Sequence, residues 1–177
     1  MTTVTVATVW LDGCSGCHMS LLDLDDELLA IAGGLQLVYS PLVDRRDFPA
    51  RVDVALVEGA VGNAHDRERL KQIRRNSRIL VAFGDCAVTA NVPAMRNRFD
   101  LARVLDRAYP SAADPCQGPP TLDLPPLLDR VMPVHEAVRV DLFLPGCPPP
   151  SHAIGTVLKE LAQGRLPDLQ GLARFGA

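Results

Sequence analysis

The chain has 177 residues, of which 47% are hydrophobic and 22% charged, with a mean hydropathy of +0.11. That content builds a core for one medium domain spanning residues 1–177 and argues against disorder. A net charge of −3 and an isoelectric point near 5.8 leave no basic field of the kind that gathers nucleic acid or an anionic membrane.

Thr3 to Trp10 is rich in β-branched residues and stops at Asp12-Gly13, which predicts a first strand leading into a loop. The loop carries Cys14-Ser15-Gly16-Cys17. The apolar run Val4 to Leu11 is too short to cross a bilayer, and no charged or twin-arginine leader precedes it, so a cytoplasmic location without membrane contact is expected. From His18 to Ile31, Leu21, Leu22, Leu24, Leu28, Leu29 and Ile31 fall at mixed helical spacings, and Gly33-Gly34 ends this first helix. Leu35 to Ser40 and Val52 to Val57 read as short second and third strands, the latter delivering Glu58-Gly59 to the edge that carries the cysteine loop.

Asn63 is placed to cap a helix over Ala64 to Asn76, with Asp66 and Glu68 near its start and Arg74 and Arg75 near its end. Arg78 to Phe83 is the fourth strand and ends at Gly84-Asp85-Cys86. A helical stretch around Arg96 to Ala108 and a Pro/Gly-rich segment, Tyr109 to Pro126 with Cys116, follow before a fifth strand, Val138 to Leu144. That strand ends at Pro145-Gly146-Cys147, and Ser151 is read as the N-cap of a last helix carrying Ile154, Val157, Leu158 and Leu161. Strands alternating with helices indicate an α/β fold with an open parallel sheet and helices on both faces.

Strands of such a sheet present their carboxyl ends along one edge, where ligands bind. Cys14, Cys17, Cys86 and Cys147 each follow a predicted strand, so four thiolates on that edge suggest a metal cluster. Five cysteines in a reducing compartment are better read as metal ligands or reactive thiols than as a disulfide framework. Cys116 is read as a spectator, a small buried hydrophobe or a harmless thiol. Other readings stay open from the residues alone. Structural zinc usually adds a second close pair, which is missing here. A thioredoxin-like dithiol would use Cys14 and Cys17 at a helix start but leaves Cys86 and Cys147 unexplained. A flavin carrier would hold phosphate in the first loop, where Ser15 is the only hydroxyl.

The ordered set Cys14-Ser15-Gly16-Cys17, Val57-Glu58-Gly59, Gly84-Asp85-Cys86-Ala87, Asn91 to Asn97 and Asp141 to Pro149 resembles the small subunit of [NiFe] hydrogenases, of the short type in cytoplasmic NAD-reducing enzymes. The resemblance implies a flavodoxin-like domain with one [4Fe-4S] cluster, its ligands carried over as Cys14, Cys17, Cys86 and Cys147. It also implies a partner large subunit with the Ni-Fe centre, and diaphorase partners with FMN and further iron-sulfur clusters that reduce NAD+. Periplasmic relatives add a leader and a long C-terminal extension, so the end of this chain soon after Cys147 favours the single-cluster type. The quinone-reducing complex I subunit, with adjacent cysteines in place of the Cys14 to Cys17 loop, is a more distant relative. Ala90 stands where hydrogenase small subunits often have glycine.

On this reading the chain conducts electrons and has no catalytic side chain of its own. Glu58 either lines the cluster edge and couples proton to electron movement or caps a neighbouring helix. His18 either donates a hydrogen bond toward the cluster or large subunit or is a polar residue at a helix start. His135-Glu136 could pass for an acid-base pair, but neighbours on an extended chain face opposite ways, and a structural role is expected. Asp114 to Pro120 is the segment expected to meet a partner.

Overall fold

The structure, a computed structural model, describes residues 3–110 and 119–176. The strands β1 (Val4–Trp10), β2 (Leu35–Tyr39), β3 (Val52–Glu58), β5 (Ser77–Phe83) and β7 (Leu142–Leu144) form a parallel sheet in the order β2-β1-β3-β5-β7. This is the flavodoxin-like order, with its reversal between β1 and β3. The central strands read as near-continuous apolar runs because helices cover both of their faces. Val54, Ala55, Leu56 and Val57 are all buried, as are Leu80 to Phe83.

Alternate residues divide the core. On one face Ala7, Val9, Ala55, Val57, Leu80 and Ala82 meet Leu70 and Ile73 of α3 (Ala64–Asn76) and Ala87 and Val88 of α4 (Asp85–Thr89). On the other, Val6, Leu56, Val81, Phe83 and Leu144 meet Leu21 of α1 (Gly16–Leu22) and Ile154, Val157, Leu158 and Leu161 of α7 (Ser151–Ala162). Asn63 caps α3 as expected, its side chain accepting the Asp66 N–H at 2.9 Å. Arg74 of α3 is more than a solvated cation. It donates to the carbonyl oxygen of Ser77 at 2.6 Å and pairs with Asp141 ahead of β7.

The structure corrects four expectations. The single helix from His18 to Ile31 is two, α1 and α2 (Asp26–Ala32), broken at Asp25 with φ 46°. Asp23, Asp25 and Asp26 are weak helix formers, and the break turns Leu24 inward, 5% exposed. The stretch around Arg96 to Ala108 is likewise divided, into a 3₁₀ helix (Val92–Arg98) and α5 (Leu101–Ala108). Arg96 and Asn97 are drawn to backbone instead: Arg96 donates to Leu128 O at 2.8 Å and Gly62 O at 3.1 Å, and Asn97 bonds both the N–H and the C=O of Val131.

Those bonds hold a second, two-stranded antiparallel sheet of β4 (Val61–Asn63) and β6 (Leu127–Met132), unread in the sequence because Asp129-Arg130 interrupts the apolar pattern. The fifth parallel strand starts at Leu142, not Val138. Val134–Ala137 is a short helix, α6, and Asp141 first engages β5, its N–H donating to Leu80 O and its carboxylate accepting the Leu80 N–H, each at 2.9 Å. Ser151 is the first residue of α7 and makes no side-chain cap. Pro150 holds the capping position, with its preset φ of −64° and extended ψ.

Candidate metal centre at the carboxyl edge of the sheet

The register aligns four strand ends: Trp10 opposite Glu58, Glu58 opposite Phe83, and Phe83 opposite Leu144. Every predicted cysteine position follows one of these ends, so residues far apart in the chain emerge side by side. Cys14 lies in the β1–α1 connection, Cys17 and Cys86 are the second residues of α1 and α4, and Cys147 follows β7. Cys14 and Cys147 are exposed, Cys86 is half-buried, and Cys17 is buried. Burial pushes the Cys86 thiol up to about 11, with further increments from Cys147, Cys14 and Glu58. Burial likewise drives the Cys17 thiol far above its usual range, and Glu58, Cys86, Cys14 and Cys147 add to it. Cys17 and Cys86 thus sit among the other sulfurs and Glu58, and a cation placed there would offset the cost of ionising these two thiols.

Two glycines make the space. Gly84 has φ +85°, and a Cβ there would lie 2.2 Å from the Cys17 sulfur. Gly146 has φ +135°, and the backbone folds back so that a Cβ would lie 2.5 Å from Pro149 Cα. Pro149 is pinned in turn, its carbonyl accepting the buried Ser20 hydroxyl of α1 at 2.7 Å. The Gly84→Ala variant is expected to lose about 2–4 kcal/mol of stability, from left-handed strain and overpacking. Chemical denaturation checks this.

Glu58 is 1% exposed at the end of β3. Its carboxylate accepts the Cys17 N–H at 3.3 Å and the His18 N–H at 3.1 Å, which satisfies the otherwise open start of α1. It also contacts His18 Nδ1. His18 Nε2 lies 3.0 Å from the Thr8 hydroxyl, which hydrogen-bonds Ser40 at 2.8 Å. Of the two roles weighed for Glu58, the geometry is that of the helix cap. Both ring nitrogens of His18 face into the protein. Thr8 on β1 and Ser40 just after β2 escaped sequence reading because single hydroxyls carry no motif.

His135 and Glu136 are exposed on α6, with His135 edge-on to Phe143 at 5.7 Å, and they take no part in this edge. Cys116 and most of the Asp114 to Pro120 segment lie outside the described residues. Pro119 and Pro120 line an apolar cavity of about 630 Å³ with Leu101, Leu105 and Tyr109. Among the described residues no three His, Cys, Asp or Glu side chains converge closely enough to chelate a single ion. No described helix is long and apolar enough to cross a membrane.

Residues 14–161 match the family described as NADH ubiquinone oxidoreductase, 20 Kd subunit. The chain is 41% identical over 171 residues to the NAD-reducing hydrogenase HoxS subunit delta of Cupriavidus necator, covering 94% of this chain and 82% of that one. It is 38% identical over 168 residues to a subunit of the F420-non-reducing hydrogenase vhu of Methanocaldococcus jannaschii, covering 94% of this chain but 58% of that relative's length. Among solved structures it is similar to a chain of an NAD+-reducing [NiFe]-hydrogenase in the H2-reduced state, with a TM-score of 0.91, 42% identity, and coverage of 98% and 99%. A Ni-Fe-Se hydrogenase chain from Desulfomicrobium baculatum, 20% identical with a TM-score of 0.59, shares the fold.

Proposed function

The chain belongs to the NADH ubiquinone oxidoreductase 20 Kd subunit family, together with the hydrogenase subunits it is similar to, and on that premise we propose that it is the electron-transfer small subunit of a [NiFe] hydrogenase that reduces NAD+. The observation that carries this is the arrival of four cysteines just past the ends of three strands, β1, β5 and β7, of one sheet. Cys14, Cys17, Cys86 and Cys147 would hold one [4Fe-4S] cluster, which when bound accepts and releases single electrons.

The donor set fits such a cluster. Thiolates are its ordinary ligands, glycine backbone at Gly84 leaves room beside Cys17, and the exposed sulfurs of Cys14 and Cys147 give the site an open side. Mononuclear zinc requires ligands gathered on one point, whereas a polynuclear cluster spreads its ligands over its own framework. A dithiol oxidoreductase needs only Cys14 and Cys17, and it gives no part to Cys86 and Cys147, which follow the ends of β5 and β7 on the same sheet edge. In the flavin-carrier reading Ser15 would hold phosphate, but its hydroxyl is turned to the Cys14 carbonyl.

This chain's residues fix the ligand loops, exclude water from Cys17 and present an apolar rim. Trp10, Met19, Val92 and Met95 are exposed large side chains on the segments flanking the cysteines, a composition suited to a protein partner. That partner would be the large subunit with the Ni-Fe centre, and diaphorase subunits with FMN would complete the path to NAD+ in the cytoplasm. Anaerobic purification with whatever co-purifies, followed by iron, sulfide and nickel analysis and an assay of H2-dependent NAD+ reduction, tests the proposal. Iron and sulfide on this chain, nickel on a larger one and NADH formed from H2 are the expected results. A metal-free chain with a titratable Cys14-Cys17 pair would overturn them.

A further inference from the structure

Asp85 stands between Gly84 and Cys86 and is 4% exposed. Its Oδ1 accepts the Gly146 N–H at 2.7 Å, and its own N–H donates to the Gly146 carbonyl at 2.8 Å. The second oxygen, Oδ2, accepts the Gly176 N–H at 2.9 Å. The β5–β7 ladder reaches Phe83 opposite Leu144, and the Gly84 N–H adds a bond to Leu144 O at 2.8 Å. Beyond that the chains diverge into the cysteine loops, and Asp85 continues the pairing by gripping the residue before Cys147 on both its donor and its acceptor.

From this geometry we propose that Asp85 is the positioning residue of the site: it sets the spacing of Cys86 and Cys147 through Gly146 and latches the segment after α7 onto the same edge. The cysteine part of this rests on their reading as cluster ligands. Leu169, Leu172 and Ala173 of that segment pack against the core beside α7, which carries Gly176 within reach of Oδ2. The residue has to be a carboxylate. Both oxygens accept from a backbone N–H, whereas an asparagine has one acceptor oxygen and would turn its NH₂ toward one of the donors. Asp85→Asn keeps the shape and must release either Gly146 or Gly176, leaving a buried donor unpaired.

The test uses the co-purified complex carrying wild-type chain, Asp85→Asn, Asp85→Glu, or a chain stopped after Arg174. Amide hydrogen exchange of peptides covering 144–148 and 174–176, iron release to a chelator, and the cluster's midpoint potential are measured. In Asp85→Asn, exchange in at least one of the two peptides is expected to quicken about tenfold or more. Iron release should quicken as well, and the midpoint should move away from the wild-type value as the hydrogen bonding beside Cys86 and Cys147 changes. Stopping the chain after Arg174 should leave exchange at 144–148 as in wild type, and Asp85→Glu should recover part of the protection. Wild-type exchange at both peptides in Asp85→Asn would overturn the proposal. So would loosening of 144–148 in the shortened chain relative to wild type, a comparison that needs no Asp85→Asn protein and so decides the matter if that variant fails to fold. Wild-type protein without iron and sulfide would sink the cluster reading instead, while exchange on that same sample still decides the Asp85 grip.

Discussion

Serine at position 147 is expected to remove the cluster and to lower H2-dependent NAD+ reduction by at least about 100-fold, because a metal ligand matters more than the outer-shell groups whose loss already costs up to that factor. Cys147 is exposed and lies outside both apolar clusters, so its replacement withdraws a sulfur without opening a cavity. Circular dichroism and thermal unfolding of the metal-free chain should therefore match wild type while iron and sulfide content collapse. That combination separates a lost ligand from a lost fold. Cys116→Ser is the control and should keep both cluster and activity. The ligand assignment fails if Cys116→Ser empties the site while Cys86→Ser does not.

Glu58→Ala acts on the opposite side of the site and through stability. The carboxylate is buried and engages two backbone N–H groups and the His18 ring. Removing it leaves two buried N–H donors without an acceptor, at about 1–3 kcal/mol for each. Glu58→Gln retains one acceptor oxygen and should lose about 1–3 kcal/mol. Urea unfolding of the wild type and both variants checks the order. Equal stability of Glu58→Ala and wild type would show that the carboxylate does not hold the start of α1.

The parallel sheet and the edge carrying the cysteines were legible because both rest on strong local signals. β-branched and aliphatic runs mark β1, β3 and β5, and Cys14, Cys17, Cys86 and Cys147 each come soon after an apolar run. What stayed hidden depends on pairing between distant residues. Nothing in Asp85 or Glu58 as letters tells that one grips the Gly146 peptide and the other the N–H groups of Cys17 and His18. The β4–β6 sheet was unreadable for a similar reason. β4 has three residues, and its stability comes from the partner strand and from Arg96 and Asn97, more than thirty positions away from the backbone they bind. The break at Asp25 is a tertiary effect, in which an acidic, weakly helical run yields so that Leu24 can be buried.

The alignment of strand ends also sets an order in time. Cys14 leaves β1 and Cys147 leaves β7, the edge strand of the sheet, so no partial chain emerging from the ribosome brings all four sulfurs together before β7 has docked on β5. Non-local parallel pairing of this kind is slow to form. Until it closes, Cys17 lacks the covering that Gly84 and its neighbours supply and is an open target for oxidants and stray metals. Were the four cysteines to hold the proposed cluster, its insertion would follow the docking of β7, through the side where Cys14 and Cys147 are exposed.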